Sequence, residues 1–127
     1  MSYAITNLRE VEDMAAKHGF GELQASRFPR TDVGMEDSGL AYHAVKPGKQ
    51  QPFGHRHKTA EEIHVVISGS GRVKLDDELV EVKEMDVIRV APEVTRAFEA
   101  GPDGLEYLVF SPRRENDSDM VQDVWES

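Results

Sequence analysis

Residues 52–72 read PFGHRHKTAEEIHVVISGSGR, and three of the chain's five histidines lie inside this stretch. His55 and His57 are separated by one residue, so on an extended strand both side chains leave from the same face. A polar turn follows at Lys58-Thr59-Ala60, then a second strand-like run, Glu62-Ile63-His64-Val65-Val66-Ile67. Glu62 and His64 again share a face. If the turn folds the two runs onto each other, two imidazoles and a carboxylate converge, and a third imidazole, His64, lies nearby. Nitrogen and oxygen donors of this kind suit Zn, Fe, Ni, Cu or Mn.

Short strands follow in quick succession. Val73-Lys74-Leu75 and Leu79-Val80-Glu81-Val82 flank a hairpin turn at Asp76-Asp77-Glu78. Val87-Ile88-Arg89-Val90, Thr95-Arg96-Ala97-Phe98-Glu99 and Leu105-Glu106-Tyr107-Leu108-Val109-Phe110 come next, with Gly101-Pro102-Asp103-Gly104 reading as a strong turn before the last. Upstream, Leu40-Ala41-Tyr42-His43-Ala44-Val45 is a good strand and Glu22-Leu23-Gln24-Ala25-Ser26 a weaker one. Tyr42 and His43 point to opposite faces, so at most one of them looks inward. This density of short strands predicts an all-β barrel or sandwich.

The ends read differently. Asn7 to His18 predicts a short helix, with Asn7 and Glu10 placed as a capping box, an apolar stripe of Leu8, Val11, Met14 and Ala15, and Gly19 as a stop. Residues 113–127 are polar and acidic and predict a loosely attached tail, with Met120, Val121, Val124 and Trp125 able to pin its end.

A chain of 127 residues has the size of one domain. It contains no cysteine, which excludes disulfides and thiolate metal sites. A formal net charge of −9 disfavours nucleic acid and anionic membranes as partners. The first residues lack the basic and apolar regions of a signal peptide, and no apolar run approaches a membrane span. A cytoplasmic location is the expectation.

The spacing His-x-His, then Glu62, then Gly69 with the Gly69-Ser70-Gly71 turn after it, resembles the first motif of the cupin superfamily. Gly48 stands seven residues before His55, one more than that motif's leading glycine. The resemblance implies a small single-domain cupin, all-β, with an antiparallel double-stranded β-helix or jelly-roll barrel over residues 40–112. A helix and arm over residues 1–39 would pack on that barrel, and residues 113–127 would form the acidic tail. The resemblance also implies that His55, His57 and Glu62 are metal ligands, with His64 as a fourth candidate. The cofactor is then a divalent transition metal, Fe, Mn, Zn or Ni. Single-domain cupins usually pair, so a homodimer is expected, with the N-terminal strand-like pieces and the Trp125 tail as contacts.

The second cupin motif departs from the family. Pro92 matches its proline, but its histidine is missing. Aligning on the Ala97-Phe98 pair puts Arg96 in that place, with a loop one residue shorter. This choice preserves strand register, and a slip would turn every side chain over. An inward Arg96 suits an anionic group on a ligand; an outward Arg96 would pair with Glu99 or Glu81. Two histidines and one carboxylate are also the ligand set of many non-haem iron oxygenases. The first expectation is a barrel that binds a metal and a small anionic organic ligand, contacted by Arg96, Phe98, Tyr42 and Tyr107. The alternative is a metal-free small-molecule-binding cupin without catalytic activity. The residues name no catalytic group, and fold alone does not choose a reaction.

Overall fold

The computed structural model describes residues 2–126, so Met1 and Ser127, the outermost residues of the expected arm and tail, lie outside it. Eight strands follow one another: β1 (Gln24–Arg27), β2 (Ser38–Val45), β3 (Gly54–His57), β4 (Glu62–Leu75), β5 (Glu78–Lys83), β6 (Val87–Val90), β7 (Arg96–Pro112) and β8 (Ser118–Val121). All pairings are antiparallel. The expected antiparallel β barrel is thus the fold. No helix among the described residues is long and apolar enough to cross a membrane.

Two long strands, β4 and β7, run side by side through the whole barrel. The first half of β4 pairs with β6 and with the second half of β7, which continues to β2 and β1. The second half of β4 pairs with β5 and with the first half of β7, which meets β3 at the His55–Arg96 position; β8 then flanks β3. Between these two leaves lies a core of Val45, Val66, Val73, Val82, Phe98, Ala100, Leu105, Tyr107 and Val109. Inward side chains alternate along β4, where Glu62, His64 and Val66 are buried and Ile63 and Val65 only partly so.

Gly69-Ser70-Gly71 and Gly101-Pro102-Asp103-Gly104, expected as turns between separate strands, lie inside β4 and β7. The strands bend there without ending. Register shifts fall between Val66 and Ser68 and between Gly69 and Gly71, and such bulges let a paired strand curl. Close approach explains the glycine: a Cβ on Gly71 would stand 2.0 Å from the Glu99 carbonyl oxygen. Gly71→Ala should therefore cost about 2–3 kcal/mol, since backbone and not a flexible side chain must yield. Chemical denaturation measures this, and a loss under about 0.5 kcal/mol would contradict the crossing described here.

The predicted helix over residues 7–18 divides into a 3₁₀ turn, Leu8–Glu10, and one α-helical turn, α1 (Met14–Lys17). Asn7 caps the first by accepting from the Arg9 N–H. Asp13 starts the second: its Oδ1 accepts from the N–H groups of Ala15, Ala16 and Ser26. A side chain that competes for backbone donors in mid-segment breaks a helix. A second short turn, α2 (Arg30–Val33), ends at Gly34 with φ +68° and was not legible in the sequence.

The acidic C-terminal stretch, expected to be loosely attached, is fixed to the body. β8 pairs with β3 along four positions. Val124 is buried, its carbonyl accepts from Lys74 Nζ at 2.5 Å, and Trp125 Nε1 donates to the Gln51 carbonyl at 2.9 Å. Trp125 thus anchors its own chain.

Candidate metal centre

The short strand β3 carries His55 and His57 on one face and exposed Arg56 on the other. Gly54 precedes them without a side chain, because a Cβ there would stand 2.9 Å from the Arg96 carbonyl oxygen. After the turn at residues 58–61, β4 begins with Glu62 facing inward. His55 Nε2 lies 3.4 Å from Glu62 Oε1, and His57 Nε2 lies 3.0 Å from Glu62 Oε2. One donor atom from each of the three residues falls within 4.8 Å of the others. Donors bound to one ion at ~2.1 Å stand roughly 3–4 Å apart, so the two Glu62–histidine spacings already suit a shared ion. His57 Nε2 and Glu62 Oε1 are buried and make no hydrogen bond, which leaves them available as ligand atoms.

The charges fit as well. Burial pushes the Glu62 carboxyl up, but the imidazoles of His55 and His57 outweigh this and hold it well below the usual carboxylate range. It is ionised at neutral pH, as a ligand must be. His57 Nδ1 lies 3.2 Å from Asp117 Oδ2. Both ring nitrogens of His57 thus face carboxylates, Glu62 foremost in raising its pKa, and with Nδ1 directed at Asp117 it is Nε2 that is placed to meet an ion beside Glu62. Asp117 is itself held by the Thr59 N–H at 2.9 Å, the Thr59 hydroxyl at 2.6 Å and the Ala60 N–H at 2.9 Å. These bonds, the Thr59 hydroxyl foremost, bring its carboxyl down to about 2.

Arg96 faces inward and is fully buried, with Nε 4.0 Å from Glu62 Oε1. The outward ion pair with Glu99 or Glu81 does not form; Glu99 instead pairs with Arg72. His64 is fully buried too, with Nε2 3.6 Å from Glu62 Oε1. Its ring lies 5.3 Å from that of Phe98 and 5.7 Å from that of Tyr107. Burial drives its pKa down to about 3, against the pull of Glu62, so it is neutral at neutral pH. His64 stands beside the cluster of His55, His57 and Glu62, which gathers without it.

Phe98 and Tyr107 stack inside the barrel at 4.1 Å, and the Tyr107 hydroxyl is bonded to Gln51. Tyr42 is different. It shares the outer face with Leu108 and donates to Glu106, so it does not reach the interior; strand parity sends its neighbour His43 inward instead. The His43 ring lies 5.2 Å from Tyr107, with Nδ1 2.8 Å from the Ser26 hydroxyl. Burial, with His55 adding to it, lowers its pKa to about 4. Sequence reasoning missed Asp117, because nothing distinguishes it within an acidic run.

Two histidines on one strand and a carboxylate on the next, inside a curled antiparallel barrel, also invite comparison with known proteins. The cupin domain family matches residues 41–110, more than half of the chain. The chain belongs to the cupin family. Among solved structures this cupin is similar to a cupin protein from Bacteroides fragilis, with a TM-score of 0.72 and 20% identity over 91% of this chain and 88% of that one. It is also similar to the polyketide cyclase RemF from Streptomyces resistomycificus, with a TM-score of 0.73 and 20% identity over 94% and 84%. At that identity the likeness shows the fold alone. An uncharacterized protein of Methanocaldococcus jannaschii is 36% identical over 56 residues, 44% of this chain and 45% of that protein. The match to this cupin thus spans less than half of that relative's length.

Proposed function

We propose that this cupin binds one divalent transition metal through His55, His57 and Glu62, and holds a small organic ligand beside it with an anionic group toward Arg96. One observation carries the reading: two imidazole nitrogens stand 3.4 and 3.0 Å from the two oxygens of one buried, ionised carboxylate. Such an ion, when bound, polarises a ligand oxygen or lowers the pKa of water. The chain's own residues do the rest. Phe98 and the Tyr107 ring form an apolar wall that excludes water, and Arg96 supplies a fixed positive charge inside it. Three protein ligands leave coordination positions open for a substrate. Dialysis against Fe, Mn, Ni and Zn in turn, followed by elemental analysis of untagged protein, should give about one metal per chain for at least one of them. Substoichiometric metal in all four would favour the alternative, a barrel that binds a small molecule without an ion.

Asp117 should matter to this site although it touches no ion. Asp117→Asn keeps the size of the side chain and an acceptor for Thr59, but places an amide where a carboxylate oxygen faces His57 Nδ1. Metal affinity should fall about 10–100-fold, as for other partners of ligating histidines. Competition against a chelating dye measures it. Unchanged affinity would mean that Asp117 only ties down the C-terminal stretch.

A further inference from the structure

Arg96 and His64 are buried to 0% exposure, deeper than any other charged or imidazole side chain among the described residues. Arg96 Nη2 donates to the Ala91 carbonyl at 3.0 Å. Arg96 Nε and Nη1 and both nitrogens of His64 have no hydrogen-bond partner. Native proteins rarely leave buried donors unmet, and a buried charge least of all. Two of these atoms lie near one point. His64 Nε2 and Arg96 Nε stand 3.6 and 4.0 Å from the same oxygen, Glu62 Oε1, which itself has no hydrogen-bond partner. Those separations are beyond hydrogen-bond reach. Glu62 therefore balances Arg96 in charge without satisfying its N–H groups.

The charge balance changes when an ion enters. The charged side chains at the cluster are Glu62, Asp117 and Arg96, which together carry one net negative charge. Asp76 and Glu93 also act on Arg96, but both are exposed to solvent and are screened there. The two ligating imidazoles must be unprotonated to hold a divalent ion, and the loaded site then carries one net positive charge. That excess sits beside a buried guanidinium, which keeps its proton at any accessible pH. A neutral ligand would leave the excess in place, and a dianion would overshoot it. A monoanion removes it, and a carboxylate also offers the acceptors that Arg96 and His64 lack.

We infer that a divalent ion and a small monocarboxylate bind this cupin as a coupled pair, the carboxylate taking Arg96 Nε, Arg96 Nη1 and the His64 N–H as its donors. This rests on the metal reading given above and names the ligand class of that same site. Coupling of this kind is reciprocal, so the carboxylate raises metal affinity by the factor by which the metal raises carboxylate affinity.

Acetate is the probe. Zinc affinity is measured on the full chain by competition with a chelating dye, at constant ionic strength, with sodium acetate replacing sodium perchlorate. Wild-type affinity should rise on the order of tenfold, a typical coupling between adjacent sites. Arg96→Met, in which an apolar side chain replaces the buried cation, should fold and bind zinc without that gain. If Arg96→Met gives no cooperative melt, Arg96→Gln makes the same comparison, removing the charge but keeping a polar group. Tight zinc binding that is indifferent to acetate would overturn the coupling and leave the metal site intact. An equal gain in wild type and variant would overturn the role of Arg96. No zinc binding in either salt would sink the metal reading itself, and the coupling with it.

Discussion

His57→Ala protein should retain almost no metal after dialysis, where the wild type holds about one ion per chain. His57 is the ligand candidate with the most support around it. Its Nε2 is 3.0 Å from one Glu62 oxygen and its Nδ1 3.2 Å from Asp117, so the position of the ring is set before an ion arrives. Removing a ligand outright should exceed the roughly 10–100-fold loss that follows when only the partner of a ligand is changed. The variant must be shown to fold, because Asp117 and Glu62 both lose a partner when the ring is removed. His55→Ala provides the cleaner second case: that side chain is 33% exposed, so its removal disturbs packing less. Normal metal content in both folded variants would reject the ligand assignment.

Phe98→Ala should destabilise the fold by about 3–5 kcal/mol, the usual loss when a buried aromatic ring is deleted and its cavity cannot close. Phe98 is 1% exposed and stacks on Tyr107 at 4.1 Å with 28° between the rings. The Tyr107 hydroxyl is held by Gln51, whose other bonds reach Gln24 and the Phe98 N–H. Tyr107 is therefore not free to swing into the space. On the other side the His64 ring is confined by its own burial. For a chain of this size the loss corresponds to a melting temperature lower by roughly 10–20 °C. A shift of only a few degrees would mean that the ring does not pack as described.

The centre of the site was legible in the sequence because strand geometry has a period of two. His55 and His57 share a face whatever fold surrounds them, and Glu62 opens the next apolar run. Arg96 was less accessible. Whether it points in or out depends on one residue of loop length, and only the pairing of Arg96 with His55 decides it. Tyr42 and His43 posed the same question of parity, and the inward place belongs to His43. Glycine misled in the other direction. At Gly69, Gly71 and Gly101 it marks close crossing of two continuous strands, but in sequence it resembles the end of a strand. Asp117 was invisible for a further reason: its role comes from contacts with Thr59, Ala60 and His57, some 60 residues earlier, and no local pattern records them.

Anomalous diffraction from crystals of the metal-loaded protein, collected at the absorption edge of the bound element, asks the central question most directly. The expected map has one strong peak inside the barrel, about 2.0–2.2 Å from His55 Nε2, His57 Nε2 and a Glu62 oxygen. A peak confined to surface carboxylates, or a barrel interior without anomalous signal in protein that carries one ion per chain, would contradict it.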